Sequence, residues 1–140
     1  MALASKKNEK KTVLLDTNAL VFSVQNKVDF MHEISEILEG GSFEFVIPSG
    51  VIDELQDMRD SDSLKLKEKL SANIALKLVT DLANQGKIKV RDSDLSVDDW
   101  MIKQAKLPEN KGRLAVFTYD RSLKQYLKKL GVQLILLKKY

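Results

Sequence analysis

Four carboxylates stand, one each, beyond four apolar segments of the chain. Asp16 directly follows Val13-Leu14-Leu15, and Glu54 lies in the segment after Phe43–Pro48. Asp98 opens the stretch after Lys87–Val90, and Asp120 stands two residues past Leu114–Thr118. Acids brought together from separate segments repel one another when ionised, and cations relieve that repulsion, so the chemistry they suit is metal binding. The rest of the composition narrows the metal. The chain has no Cys and a single His, His32. Thiolate zinc sites, Cys nucleophiles and three-His sites are thereby excluded, and a Ser-His-Asp triad would have to use His32. An all-oxygen site favours Mg²⁺ or Mn²⁺ over zinc.

Each acid also has a plainer explanation. Asp98 and Asp99 fall in the first turn of a helix that Ser96 can cap, where negative charge complements the helix dipole. Asp120 can serve as an N-cap for the "RSLKQYL" segment. Glu54 has Asp53 and Asp57 for neighbours, and any of the three can be a solvated helix charge. Asp16 is the strongest single signal, because Val-Leu-Leu-Asp carries no turn geometry of its own.

Hydrophobic patterning supplies the elements that must hold these residues. Val13–Leu15 reads as a short buried strand. Helical spacing over Val28–Leu38 ends at Gly40-Gly41. "FEFVIP" (Phe43–Pro48) is a second strand, followed by a helix that Ser49 can cap. "SDSLKLKEKL" reads as a loop leading into a helix over Leu70–Ala83 with Ile74, Leu78 and Leu82 as its buried stripe. "KIKV" is a third strand, "SVDDWMIKQA" a short helix from Ser96, Leu114–Thr118 a fourth strand, "RSLKQYLKKLG" a helix closed by Gly131, and "VQLILL" a fifth strand. Such alternation predicts a parallel α/β sheet covered on both faces. In an open parallel sheet the carboxyl ends of the strands share one rim, where ligands bind. All four acids should therefore converge there.

At 140 residues and 44% apolar content the chain can bury one core, so residues 1–10 are expected as a flexible polar arm and 11–140 as a single domain. It has no apolar signal segment and no run long enough to span a bilayer, which predicts a soluble cytoplasmic protein with no membrane partner. The formal net charge is +3, with lysines gathered at Lys65, Lys67 and Lys69, at Lys124, Lys128 and Lys129, and at Lys138 and Lys139. These clusters suit either a solvated face or contact with a phosphate backbone. His32 falls on the polar side of its helix, as a surface residue. Trp100 suits the core or a base-stacking surface. Gly112 in "LPENKGRL" is too isolated for a phosphate cradle, and no Walker A or dinucleotide motif is present, which argues against nucleotide cofactors.

In order along the chain, "VLLDTNAL", "VIPSGVIDEL", "SVDDWMI" and "VFTYDRSLKQYL" resemble the PIN-domain family of metal-dependent ribonucleases. The resemblance spans nearly all of residues 11 to 137. It implies a three-layer α/β sandwich on a five-stranded parallel sheet in the order 3-2-1-4-5. It also implies that Asp16, Glu54, Asp98 and Asp120 are the catalytic, metal-holding acids, with Asn18, Thr118 and Asp99 in support. The cofactor would be Mg²⁺ or Mn²⁺ and the activity endoribonucleolytic. The last segment looks most like archaeal single-domain members related to PIN nucleases of small-subunit ribosomal RNA processing. VapC-type toxins share the same acids and are the alternative. The partners implied are RNA, single-stranded or a structured ribosomal RNA precursor, together with a second copy of the chain, an antitoxin or a ribosome-assembly protein.

Two other classes compete. Phosphatases of the haloacid-dehalogenase type also end a first strand on Asp, but they need a second Asp two residues on, where this chain has Asn18. A non-catalytic RNA-binding or assembly module, with the acids as helix caps, would bind no metal.

Overall fold

Val13, Leu14 and Leu15 are consecutive and all fully buried. A strand, whose side chains alternate between faces, permits that only when its sheet is covered on both sides. In this computed structural model, which describes residues 10–39 and 41–137, they end the central strand β1 (Lys11–Leu15). β2 (Phe43–Pro48) lies on one side of it and β4 (Leu114–Phe117) on the other. β3 (Ile88–Arg91) and β5 (Gln133–Ile135) form the edges, so the sheet is parallel, as the alternation of elements predicts, and runs β3-β2-β1-β4-β5, the order the resemblance implies.

Six helices fill the connections: α1 (Thr17–Gln25), α2 (Phe30–Ile37), α3 (Ser49–Asp60), α4 (Leu66–Asn84), α5 (Val97–Lys106) and α6 (Arg121–Lys129). Right-handed crossovers from β1 outward to β3 put α1 to α4 on one face, and the return through β4 to β5 puts α5 and α6 on the other. The packing agrees. Phe30 of α2 meets Phe45 and Phe117 on the first face, and α3 and α4 pack together there with α1. Trp100 of α5 is buried over the opposite face, a core residue in place of a stacking surface.

Several local expectations are corrected. The patterning gave no helix over Thr17–Gln25. "TNALVFSVQ" has only a narrow polar edge, Asn18 and Gln25, because Thr17, Ala19, Leu20, Val21 and Ser23 are buried around most of its circumference, and a helix enclosed on so many sides shows little amphipathic signal. α4 begins at Leu66, so half of the expected loop is helical, in keeping with the high helix propensity of its Leu, Lys and Glu residues. Its buried stripe is Ala72, Ala75, Leu76 and Val79; of the expected stripe Ile74 is 53% exposed and Leu78 39% exposed, while Leu82 is partly buried against the core. Small alanines let α4 lie close against α1 and α3, and the larger side chains turn outward with Leu66 and Leu70 as an exposed ridge. Ser49 is not a cap: it is the first residue of α3, and its Oγ accepts from the Ser93 N–H at 3.0 Å and lies 3.3 Å from the Ser93 carbonyl, tying the β3–α5 loop to α3. α6 does close at Gly131, whose φ of +79° lies in the left-handed region that favours glycine. The expected arm at residues 1–10 lies outside the described residues except for Lys10, as do Lys138 and Lys139. His32 is exposed, 3.6 Å from Glu36.

Candidate functional site

The strand order reverses between β1 and β4, the switch point at which open α/β sheets bind ligands beyond their carboxyl ends. Asp16 leaves β1 there. Thr118 leaves β4 beside it and donates from Oγ1 to Asp16 Oδ2 at 2.6 Å. Asp16 Oδ2 also lies 3.2 Å from the donating Asn18 Nδ2, and Oδ1 accepts from the Thr17 N–H at 2.9 Å. That last bond caps α1, so Asp16 does occupy a turn, one hidden from the sequence because α1 itself was hidden. Asp16 is 4% exposed. Burial, opposed by the Thr118 bond and reinforced by the charge of Asp98, pushes its carboxyl up to about 6.

A cavity of about 490 Å³ opens over Asp16, and Glu54, Asp98 and Asp120 line it together with Asn18 and Ser96. Of Asp53, Glu54 and Asp57, only Glu54 lines it. The Glu54 carboxylate accepts a short hydrogen bond from the buried Thr17 hydroxyl, which joins α3 to the residue after Asp16. Asp98 stands in the first turn of α5, which Ser96 caps by accepting from the Asp99 N–H at 3.2 Å. Partial burial, then the charges of Asp120 and Asp99, raise the Asp98 carboxyl above its ordinary value. Asp120 caps α6 through Oδ1, which accepts from the Leu123 N–H at 2.8 Å, and its own N–H donates to Thr118 Oγ1. Capping and cavity lining thus coexist in Asp16 and Asp120. Asp99 is exposed and does not line the cavity; it touches the site only through its charge on Asp98.

Among the described residues no Lys or Arg lines this cavity, so none of them neutralises the negative charge there. The donors are all hard oxygens, which fit a divalent cation. Among the described residues, no three such side chains stand close enough as placed to share one ion. Loading would therefore draw the exposed Asp98 and half-buried Asp120 side chains toward Asp16 and toward Glu54, both of which are held by hydrogen bonds.

Comparison with known proteins decides the family, since a family model described as "PIN like domain" matches residues 13–140. The chain belongs to the PIN-like domain family. It is 34% identical over 136 residues to Ribonuclease VapC4 of Methanocaldococcus jannaschii, covering 91% of this chain and 92% of that protein. It is 30% identical over 125 residues to Ribonuclease VapC9 of Archaeoglobus fulgidus, covering 89% and 82%. Among solved structures it is similar to the PIN domain endonuclease Utp24, with a TM-score of 0.67 at 21% identity over 88% of this chain and 82% of that one. A domain of a functionally unknown protein from Methanocaldococcus jannaschii gives a TM-score of 0.60 at 16% identity, covering 93% of each chain. Those two structural likenesses are of fold.

Within this PIN-like frame, the second wall of the cavity has no counterpart in the sequence reading. Val21, Phe22 and Gln25 of α1 and Met58 of α3 line it. Asn18, Val21, Phe22 and Gln25 recur at the spacing of one helical face. The signal was present, but legible only once Thr17–Gln25 is known to be a helix. Thr17 was missed as well; its place between Asp16 and Asn18 is the only hint the sequence gives.

Proposed function

We propose that the chain is a divalent-metal-dependent endoribonuclease with Asp16, Glu54, Asp98 and Asp120 as its metal-holding acids. The observation that carries this is a cavity lined by four carboxylates and, among the described residues, by no cationic side chain, at the switch point of a PIN-like sheet. Two relatives named ribonucleases, matched over most of their length, support the reaction class. When bound, Mg²⁺ or Mn²⁺ supplies positive charge for the scissile phosphate and a water that ionises more easily. The protein's part is positional. Thr118, Asn18 and the Thr17 N–H hold Asp16 in one orientation, the Thr17 hydroxyl holds Glu54, and the two helix starts hold Asp98 and Asp120 at the mouth. Cleavage by water is expected to leave a 5′-phosphate and a 3′-hydroxyl.

Cleavage of RNA should require Mg²⁺ or Mn²⁺ and stop with EDTA. Activity that survives chelation would overturn the proposal. As to cellular role, the relatives at 30% identity or more carry the VapC name, which favours a VapC-type ribonuclease with an antitoxin partner. A role in ribosomal RNA processing rests on the resemblance of the last segment. Sequencing RNA crosslinked to the protein in its own cell separates them: enrichment at ribosomal precursor sites supports processing, and its absence supports the VapC type.

A further inference from the structure

The cavity has two kinds of lining: the carboxylates of Asp16, Glu54, Asp98 and Asp120, and a run of α1 and α3 side chains, Val21, Phe22, Gln25 and Met58. A divalent ion with its water shell fills about 200 Å³, taking roughly 30 Å³ for each water-sized species. More than half of the 490 Å³ is then left for something else. Further phosphates are disfavoured there, because the acids repel any anion that the cation does not neutralise. What fits is an uncharged group with an apolar face and a hydrogen-bonding edge.

The second wall has that complementarity and is rigidly held. Phe22 is half-buried, its ring 4.4 Å from that of Tyr119 and tilted 42° to it. Tyr119 is anchored at both ends. Its hydroxyl donates to the Leu137 carbonyl at 2.6 Å and accepts from the Leu137 N–H at 3.0 Å, and its backbone N–H donates to Asn18 Oδ1 at 2.9 Å. Asn18 in turn donates to Asp16. The aromatic wall is thereby tied through Asn18 to the buried carboxylate. Gln25, exposed at the end of the same helical face, offers both an amide donor and an acceptor.

We infer that Phe22, flanked by Val21 and Met58 and with Gln25 at its end, forms a nucleobase subsite beside the metal-holding acids. The base of the nucleotide whose phosphate sits at the acids packs on the Phe22 ring, and the Gln25 amide meets its polar edge. This rests on the ribonuclease reading for the identity of the substrate, but not for its test. Base–aromatic stacking contributes about 1–3 kcal/mol per base, so the subsite should matter by roughly 5- to 150-fold in affinity.

The test compares binding of the four nucleoside 5′-monophosphates with that of ribose 5-phosphate, by calorimetry on the full chain with Mg²⁺. Nucleotides should bind at least about 5-fold more tightly than the sugar phosphate. Phe22→Ala should remove most of that difference without changing the affinity for ribose 5-phosphate, and Gln25→Ala should alter the ranking among the four bases. Phe22→Leu keeps an apolar contact with Tyr119 and serves if the Ala protein melts early; it too should lose the preference. Equal binding of nucleotides and ribose 5-phosphate, or a preference that survives both Phe22 variants, would overturn the subsite. Cleavage of RNA is read in parallel. Base preference without cleavage overturns the ribonuclease reading alone, and cleavage without base preference overturns the subsite alone.

Discussion

Replacing Asp16 with Asn separates a metal carboxylate from a structural cap, because the two roles predict stability changes of opposite sign. The Asp16 carboxyl has its pKa pushed from 3.8 to about 6 in the folded protein, chiefly by burial. The folded state therefore holds this proton more tightly than the unfolded chain does. Stability from that source is fully present below about pH 4, falls as pH rises to about 6, and stays lost above it. The loss is about 3 kcal/mol. Asn carries no charge and removes that dependence. Against the gain stand the hydrogen bonds from Thr118 and Asn18, which an amide NH₂ cannot accept on the Oδ2 side. At about 1 kcal/mol for a typical net hydrogen bond, they leave a gain of about 1 kcal/mol at neutral pH. In EDTA near neutral pH, Asp16→Asn should thus melt roughly 2–5 °C higher than the native protein. Near pH 4 the order should reverse, because the native carboxyl is then neutral and keeps its bonds. Added Mn²⁺ should raise the native melting temperature by mass action, by about 2.7 kcal/mol at a hundredfold excess over its Kd, and leave the Asn protein unmoved. Thermal melts at both pH values, with EDTA and with Mn²⁺, measure all of this. An Asn protein that melts lower in EDTA at neutral pH, yet still responds to Mn²⁺ and cleaves RNA, would refute the reasoning.

Thr118→Val removes the hydroxyl that donates to Asp16 and accepts from the Asp120 N–H. It should cost about 1–3 kcal/mol in a melt and weaken Mn²⁺ binding by calorimetry, with Thr118→Ser restoring both. On α4, Val79→Ala should cost about 2 kcal/mol by denaturant titration and Ile74→Ala less than about 0.5, because Val79 is fully buried and Ile74 faces solvent. If Lys65, Lys67 and Lys69 track an RNA backbone, their joint replacement by Ala should flatten the slope of log affinity against log salt by about 0.7 per lost contact, and an unchanged slope returns them to a solvated face.

The sheet and its acid rim were legible in the sequence, and the helices that shape the pocket much less so. Strands β1, β2 and β4 carry short, β-branched or aromatic runs bounded by charge, and burial of both sheet faces makes such runs unmistakable. Alternation with helices then dictates a parallel sheet, and the rim places Asp16, Glu54, Asp98 and Asp120 without further knowledge of side chains. Periodicity fails where a helix is enclosed on most sides, as α1 is, or where close packing selects small residues, as Ala72 and Ala75 are selected on α4. Of the apolar stripe that the sequence offers in α4, Ile74 and Leu78 are exposed and Leu82 packs against the core.

That failure bears directly on how the site works. The residue types that stand out in a sequence are the charged ones, and here Asp16 ends a strand, Asp98 and Asp120 stand at helix starts and Glu54 lies midway along α3. The neutral groups that hold and complete the site come from α1: Thr17 reaches Glu54, Asn18 links Asp16 to Tyr119, and Phe22 lies against that same Tyr119. α1 packs against α4 and α3 and buries five of its nine residues, which leaves it little room to shift. Its buried faces, which erase its amphipathic signature, are also what hold Asn18, Phe22 and Gln25 still against the acids. The feature that hid α1 from the sequence is the one that makes it a rigid wall for the cavity.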